Sequence, residues 1–357
     1  MKRKSGWLLF RVACLVFLLG MALLAIPAQA QNFAYVTSSS NTVSVIDTAS
    51  NTVVATVAVG SGPLGVAITP DGNRAYVANL FDNTVSVIDT AKKTVVATVA
   101  LGNGPLAVAI TPDGTRAYVT GGPVSVIDTA SNTVVATVAD PNAYGVAITP
   151  DGTRAYVTDF LSASVTVIET ANNTIIAEVE VGSHNLGVAI TPDGTHAYVG
   201  NGGTNSVSVI ETATNTVTAE VPVGVEPQGV AITSDGTRAY VANGVSNSVS
   251  VIETATNTVT AEVSVGVGPQ GVAITSDGTR AYVANGVSNS VSVIDTASNT
   301  VVATVAVGGP IWVAITPGIG PPTDKSHCKK GGWQVFTIPR KFKNQGDCVS
   351  FVNHHGK

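Results

Sequence analysis

From Phe33 to Pro317 the chain is written in short apolar runs broken by small polar clusters. Ser290-Val291-Ser292-Val293 alternates with a period of two, the signature of a strand whose side chains meet opposite faces. Its polar partners are small, so both faces can be covered closely. Around it, Gly271–Thr275, Arg280–Ala284, Ser290–Ile294 and Thr300–Val305 read as four strands, here called A, B, C and D. Ser276-Asp277-Gly278-Thr279 supplies a tight A–B turn, in which Gly278 can take positive φ. Asn285–Asn289 is a looser B–C connection. Asp295–Asn299 links C to D with residues that bond their own backbone.

This unit recurs. Its Ala-Tyr-Val phrase places tyrosines at Tyr35, Tyr76, Tyr118, Tyr156, Tyr198, Tyr240 and Tyr282, with spacings of 41, 42, 38, 42, 42 and 42 residues. Such a period predicts a solenoid or a propeller. The ends of the array decide between them. The repeats begin at strand B (Phe33–Val36), followed by C (Thr42–Ile46) and D (Thr52–Val57), and finish on a lone A strand, Trp312–Thr316. A solenoid would leave both incomplete ends exposed. A ring lets the last A strand complete the first blade and removes the free edges at the seam. The Asp-Gly turn of Asp71-Gly72 and its equivalents gives way to Pro317-Gly318 where that link must be broken. The predicted fold is all-β, a seven-bladed propeller of four-stranded antiparallel blades over residues 31–317. The repeated tyrosine is expected between blades, its hydroxyl reaching a polar group.

Met1–Ala30 stands apart. A basic start, an apolar run and the small residues Ala28–Ala30 read as a cleaved signal peptide, after which no transmembrane segment is expected. Residues 318–323 read as a linker, and 324–357 as a small extension. Its Cys328 and Cys348, an even pair in an exported chain, are expected to form a disulfide. Export implies a secreted or cell-surface location.

Charge narrows the classes. The net charge of -5 divides into +4 over residues 1–30, -14 over 31–322 and +5 over 323–357. An acidic body argues against wrapping nucleic acid.

The motif Pro70-Asp71-Gly72-Asn73-Arg74-Ala75-Tyr76-Val77-Ala78-Asn79, followed by Val85–Thr90, resembles the YVTN β-propeller repeat family. The resemblance covers about 285 residues and implies an exported, surface-layer-like propeller. It leaves activity open, because propellers host binding modules and enzymes alike.

The repeated acids do not read as catalytic. Asp71, Asp277 and their equivalents sit in hairpin turns, and the acid closing each strand C, such as Asp47 or Glu169, sits toward the periphery. No nucleophile elbow, phosphate loop or haem motif appears, and no cofactor or metal is expected. Function is sought instead where copies differ, in the D–A and B–C loops of one face. Those departures are Phe81, Asp82, Asn142, Tyr144, Asp159, Phe160, His184, Asn185, Glu226 and Trp312. Aromatic and polar groups around a channel mouth make a candidate binding face. The expected role is a monomeric, non-enzymatic scaffold that binds cell-envelope polysaccharide or a surface protein. The alternative is an extracellular lactonase-like hydrolase or a cofactor-dependent oxidoreductase.

Overall fold

A computed structural model describes residues 32–318. The cleavage segment, most of the 318–323 linker, Cys328 and Cys348 lie outside the described residues. Within them are seven four-stranded antiparallel sheets. Six run A–B–C–D in chain order from the axis outward. The first blade is completed by Pro310–Ile315, which pairs with Phe33–Ser38, followed by Thr42–Asp47 and Thr52–Ala58. The ring is closed with one strand from the end of the array and three from its start, as the incomplete repeats require.

Counting blades from Phe33, blade 7 shows the common pattern: Pro269–Ile274, Arg280–Asn285, Ser290–Asp295 and Thr300–Ala306. Strands B and C are almost wholly buried, and their Val, Ile and Ala pack against the neighbouring blade. Strand D forms the outer edge. Between C and D the register slips by one residue in every blade, as between Val293 and Ile294. This bulge twists the edge strand and leaves pairs such as Val53–Val54 and Val301–Val302 exposed.

Two devices join the blades. Each tyrosine is buried at a blade interface, and six hydroxyls donate to an Asn Oδ1 in the C–D turn of the next blade at 2.6–2.8 Å. Tyr282 makes this bond across the seam, to Asn51. The exception is Tyr35, which reaches only the Thr90 carbonyl, because Lys93 stands where the other turns carry Asn. Lys93 instead places its ammonium 4.5 Å from the Phe33 ring centroid. Burial raises the phenols of Tyr35, Tyr76, Tyr118, Tyr198 and Tyr282 to about 12, so they stay protonated donors at any ordinary pH.

The second device is close approach of the innermost strands. A Cβ on Gly229 would lie 2.7 Å from the Gln270 carbonyl oxygen, and one on Gly271 would lie 2.8 Å from Trp312 Cα. Glycine is required here because backbone meets backbone around the axis.

The repeated Asp-Gly turns are tied by their own side chains. Asp277 Oδ1 accepts from Thr275 Oγ1 at 2.6 Å and from Thr279 N at 3.1 Å, while Gly278 sits at φ 72°. Asp71 and Gly72 repeat the arrangement. The acids closing strand C pin their own turns: Asp295 accepts from Ser298 N and pairs with Arg280, and Asp89 accepts from Lys92 N and pairs with Arg74.

Candidate functional site

The D–A and B–C loops emerge together, hydrogen-bonded to each other at one end of the channel. In blade 2, Leu80 N donates to the Gly62 carbonyl and Phe81 N to that of Ser61. Their sequence departures do not all serve one site. Asp82 accepts from Ser61 N at 2.7 Å. Ser246 and Ser288 do the same work in blades 6 and 7, so Asp82 is a loop tie. Phe81 is 73 % exposed beside Gly62. Glu226 is exposed on blade 6, at φ 60° in a position that other loops give to glycine. Trp312 is not on the rim at all. It lines the channel, at the place where most blades carry glycine, and packs against the blade 1–2 core.

The channel wall is a ring of one residue per blade: Leu64, Leu106, Tyr144, Leu186, Gln228, Gln270 and Ile311. Its polar groups are the two glutamine amides and the Tyr144 phenol. The cavity inside is about 50 Å³, space for a few waters. Larger clefts of 190–290 Å³ open on the opposite face, between successive blades. Each is built from the same Thr-Pro-Asp-Gly turn and an Arg, as around Arg116 and Arg154. They recur with the repeat and belong to the scaffold.

Six of the predicted residues do converge, around blade 4 (Ala143–Ile148, Arg154–Asp159, Ser164–Glu169, Thr174–Glu180). Tyr144 begins near the channel on its strand A, Phe160 follows its strand B, and His184 lies in the loop leading to blade 5. The three rings form a continuous stack. Tyr144 and Phe160 centroids are 5.6 Å apart at 29°, and Phe160 and His184 are 5.2 Å apart at 15°. Aromatic pairs favour such offset stacking. His184 is exposed and holds φ 54°, where Gly62 and Gly268 hold the same place in blades 2 and 7. A non-glycine residue in this region costs about 1 kcal/mol, and such strain gathers at functional positions.

Of the other three, Asp159 and Asn185 face inward. Asp159 is 6 % exposed and Asn185 fully buried. In the regular blades strand B ends in Asn, and Asn79, Asn201, Asn243 and Asn285 each donate to two hydroxyls of strand C. Asp159 reverses the polarity, accepting from Ser164 and Thr166 at 3.0 and 3.2 Å. Asn185 replaces the proline that begins strand A in blades 2, 6 and 7, and its amide reaches back to the carbonyls of Asp159 and Ser164. Asn142 is half-buried and accepts from Phe160 N.

One residue of this corner escapes a reading by loop composition. Asp140, 5 % exposed, occupies the place of Gly60, Gly182, Gly224 and Gly266, each of which faces the strand-B Asn of its own corner. Asp140 faces Asp159 instead, and each of the two carboxyls leaves one buried oxygen without a hydrogen-bond partner. Burial, followed by the neighbouring Asp159 carboxyl, raises Asp140 from the ordinary carboxylate range to about 7. The signal was present as a Gly-to-Asp change matched by an Asn-to-Asp change, legible only when both are known to touch. Among the described residues no three His, Cys, Asp or Glu side chains converge as a metal-ligand set.

A family model of YNCE-like β-propellers matches residues 6–316. The chain belongs to this family. No curated protein matches its sequence. Among solved structures it is similar to hydrazine synthase of Kuenenia stuttgartiensis, at 28 % identity and a TM-score of 0.68, covering 73 % of this chain and 91 % of that one. It is similar at 22 % identity and a TM-score of 0.72 to a functionally unknown protein of Desulfotomaculum acetoxidans, covering 80 % and 99 %. A provisionally named 6-phosphogluconolactonase of Bacteroides fragilis shares 16 % identity with a TM-score of 0.70, covering 81 % and 99 %. At such identities the last two share the fold alone.

Proposed function

We propose that this propeller is an exported, monomeric and non-enzymatic binding module at the cell surface, and that it recognises cell-envelope polysaccharide. The Tyr144–Phe160–His184 stack carries this reading. Three separate segments, each at a departure from the repeat, bring their rings into one row at the channel mouth. The rings cover one another's faces, so the exposed His184 end of the stack is what offers a sugar ring both an aromatic face and a hydrogen-bonding edge. The acidic body disfavours polyanions and leaves neutral or amino-bearing glycans as the fitting class.

Pull-down of purified envelope polysaccharide with the mature protein tests the reading. Retention by the wild type, reduced at least about tenfold in Tyr144→Ala/Phe160→Ala with an unchanged melting temperature, is the expected result. If the wild type retains no polysaccharide, the proposal fails.

A further inference from the structure

The buried acids of blade 4 are placed where each one touches an arm of the aromatic row. Asp140 begins the loop that delivers Tyr144, and Asn142 N donates to its carboxylate at 3.4 Å. Asp159 immediately precedes Phe160, whose N–H is held by the Asn142 carbonyl at 3.2 Å. Asn185, next to His184, donates to the Asp159 carbonyl at 3.2 Å. All three rings are therefore tied to one corner. Asp140 Oδ2 and Asp159 Oδ1 are both buried and have no hydrogen-bond partner, so a proton placed between the two carboxyls would satisfy both. Two buried acids cannot both ionise side by side without a counter-charge. None of the ion pairs among the described residues involves either of them.

We propose that Asp140 and Asp159 hold one proton between them, and that this shared proton locks the D–A and B–C arms of blade 4 so that the aromatic row is assembled. The row rests on the binding function proposed above; the lock does not. Losing the proton sets two carboxylates against each other and releases the Asn142 loop. The surroundings offer no relief. Strand D brings only Glu178 and Glu180, in register with Thr166 and Ser164, strand A brings the neutral phenol of Tyr144, and the next blade brings His184 and the uncharged Asn185. Thr166 and Ser164 donate to the Asp159 carboxyl. A divalent cation is the competing occupant. Two carboxylates and two hydroxyls offer at most six oxygens, the lower limit of what calcium takes, and both hydroxyls are already committed as donors to Asp159.

Amide hydrogen exchange on the whole protein reads this without any ligand. Corrected for intrinsic rates, protection of Asn142–Tyr144 and Phe160 should fall by roughly tenfold or more between pH 6 and pH 8. Asp159→Asn, which restores the residue of the regular blades, should reduce that dependence, because burial alone still raises Asp140, and Asp140→Asn, which removes the titrating group, should abolish it. Protection independent of pH in the wild type overturns the proposal, as does an equal loss in both variants. Recovery of protection at pH 8 on adding calcium, in the wild type alone, also overturns it and makes the pair a cation site. Failure of polysaccharide to bind would sink the proposed function and leave the exchange result standing.

Discussion

Blades 4 and 7 share one backbone plan and differ at one corner. In blade 7 the corner is Gly266 against Asn285, whose amide donates to Ser290 and Ser292. In blade 4 it is Asp140 against Asp159, with the hydrogen bonds from strand C reversed. The regular corner is neutral at every pH and depends on a missing side chain. The other carries ionisable groups and depends on a proton. Two substitutions that leave strand pairing alone have turned a structural joint into a titratable one.

That comparison presupposes that all blades belong to one closed ring, and removing the closure should have the largest effect. Deleting Trp312–Thr316 strips the inner strand of blade 1 and the contact to Gly271. Calorimetry should show a melting temperature lower by roughly 15 °C or more, with a broadened transition. An unchanged melt would sink the ring.

Next is an attempt to build half of the blade 4 corner in blade 7. A Cβ at Gly266 would lie 2.7 Å from Asn285 Cγ. Gly266→Asp should therefore cost about 2–3 kcal/mol of overpacking and buried charge, read by urea titration at pH 7. Adding Asn285→Asp should make the loss pH-dependent; a loss that stays flat with pH would break the analogy between the corners.

The reverse change should stabilise. Asp140 is raised above its unfolded value near 3.8, so between about pH 4 and pH 7 the native state binds the extra proton. Wild-type stability should then fall as pH rises through that window and level off above it. Asp159→Asn removes the like charge, so its melting temperature should exceed the wild type by roughly 5 °C at pH 7.5 and match it near pH 4. A constant difference across pH would show that Asp140 does not titrate as described.

The smallest effect compares blade interfaces. Tyr240→Phe loses the 2.8 Å bond to Asn299 and should cost about 1 kcal/mol. Tyr35→Phe, which loses only a 3.2 Å bond to Thr90 O, should cost about half that. Equal losses in denaturant titrations would show that the Asn partners add nothing.

The period, the strand alternation and the incomplete terminal repeats were enough to determine a seven-bladed ring and its closing strand, because each is a local or arithmetic property of the chain. The Asp-Gly turns and the blade-interface tyrosines recur in the structure as they recur in the sequence, because every copy must solve the same packing problem. The rim was legible only as a set of departures, and composition made them equivalent. Tertiary structure sorted them. It made Asp82 a loop tie, put Trp312 in the channel wall, turned Asp159 and Asn185 inward, and stacked Tyr144, Phe160 and His184. It also brought Asp140 against Asp159 across 19 residues of sequence. A pKa is set by burial and by charges that are near in space, and neither is written at any one position in a chain.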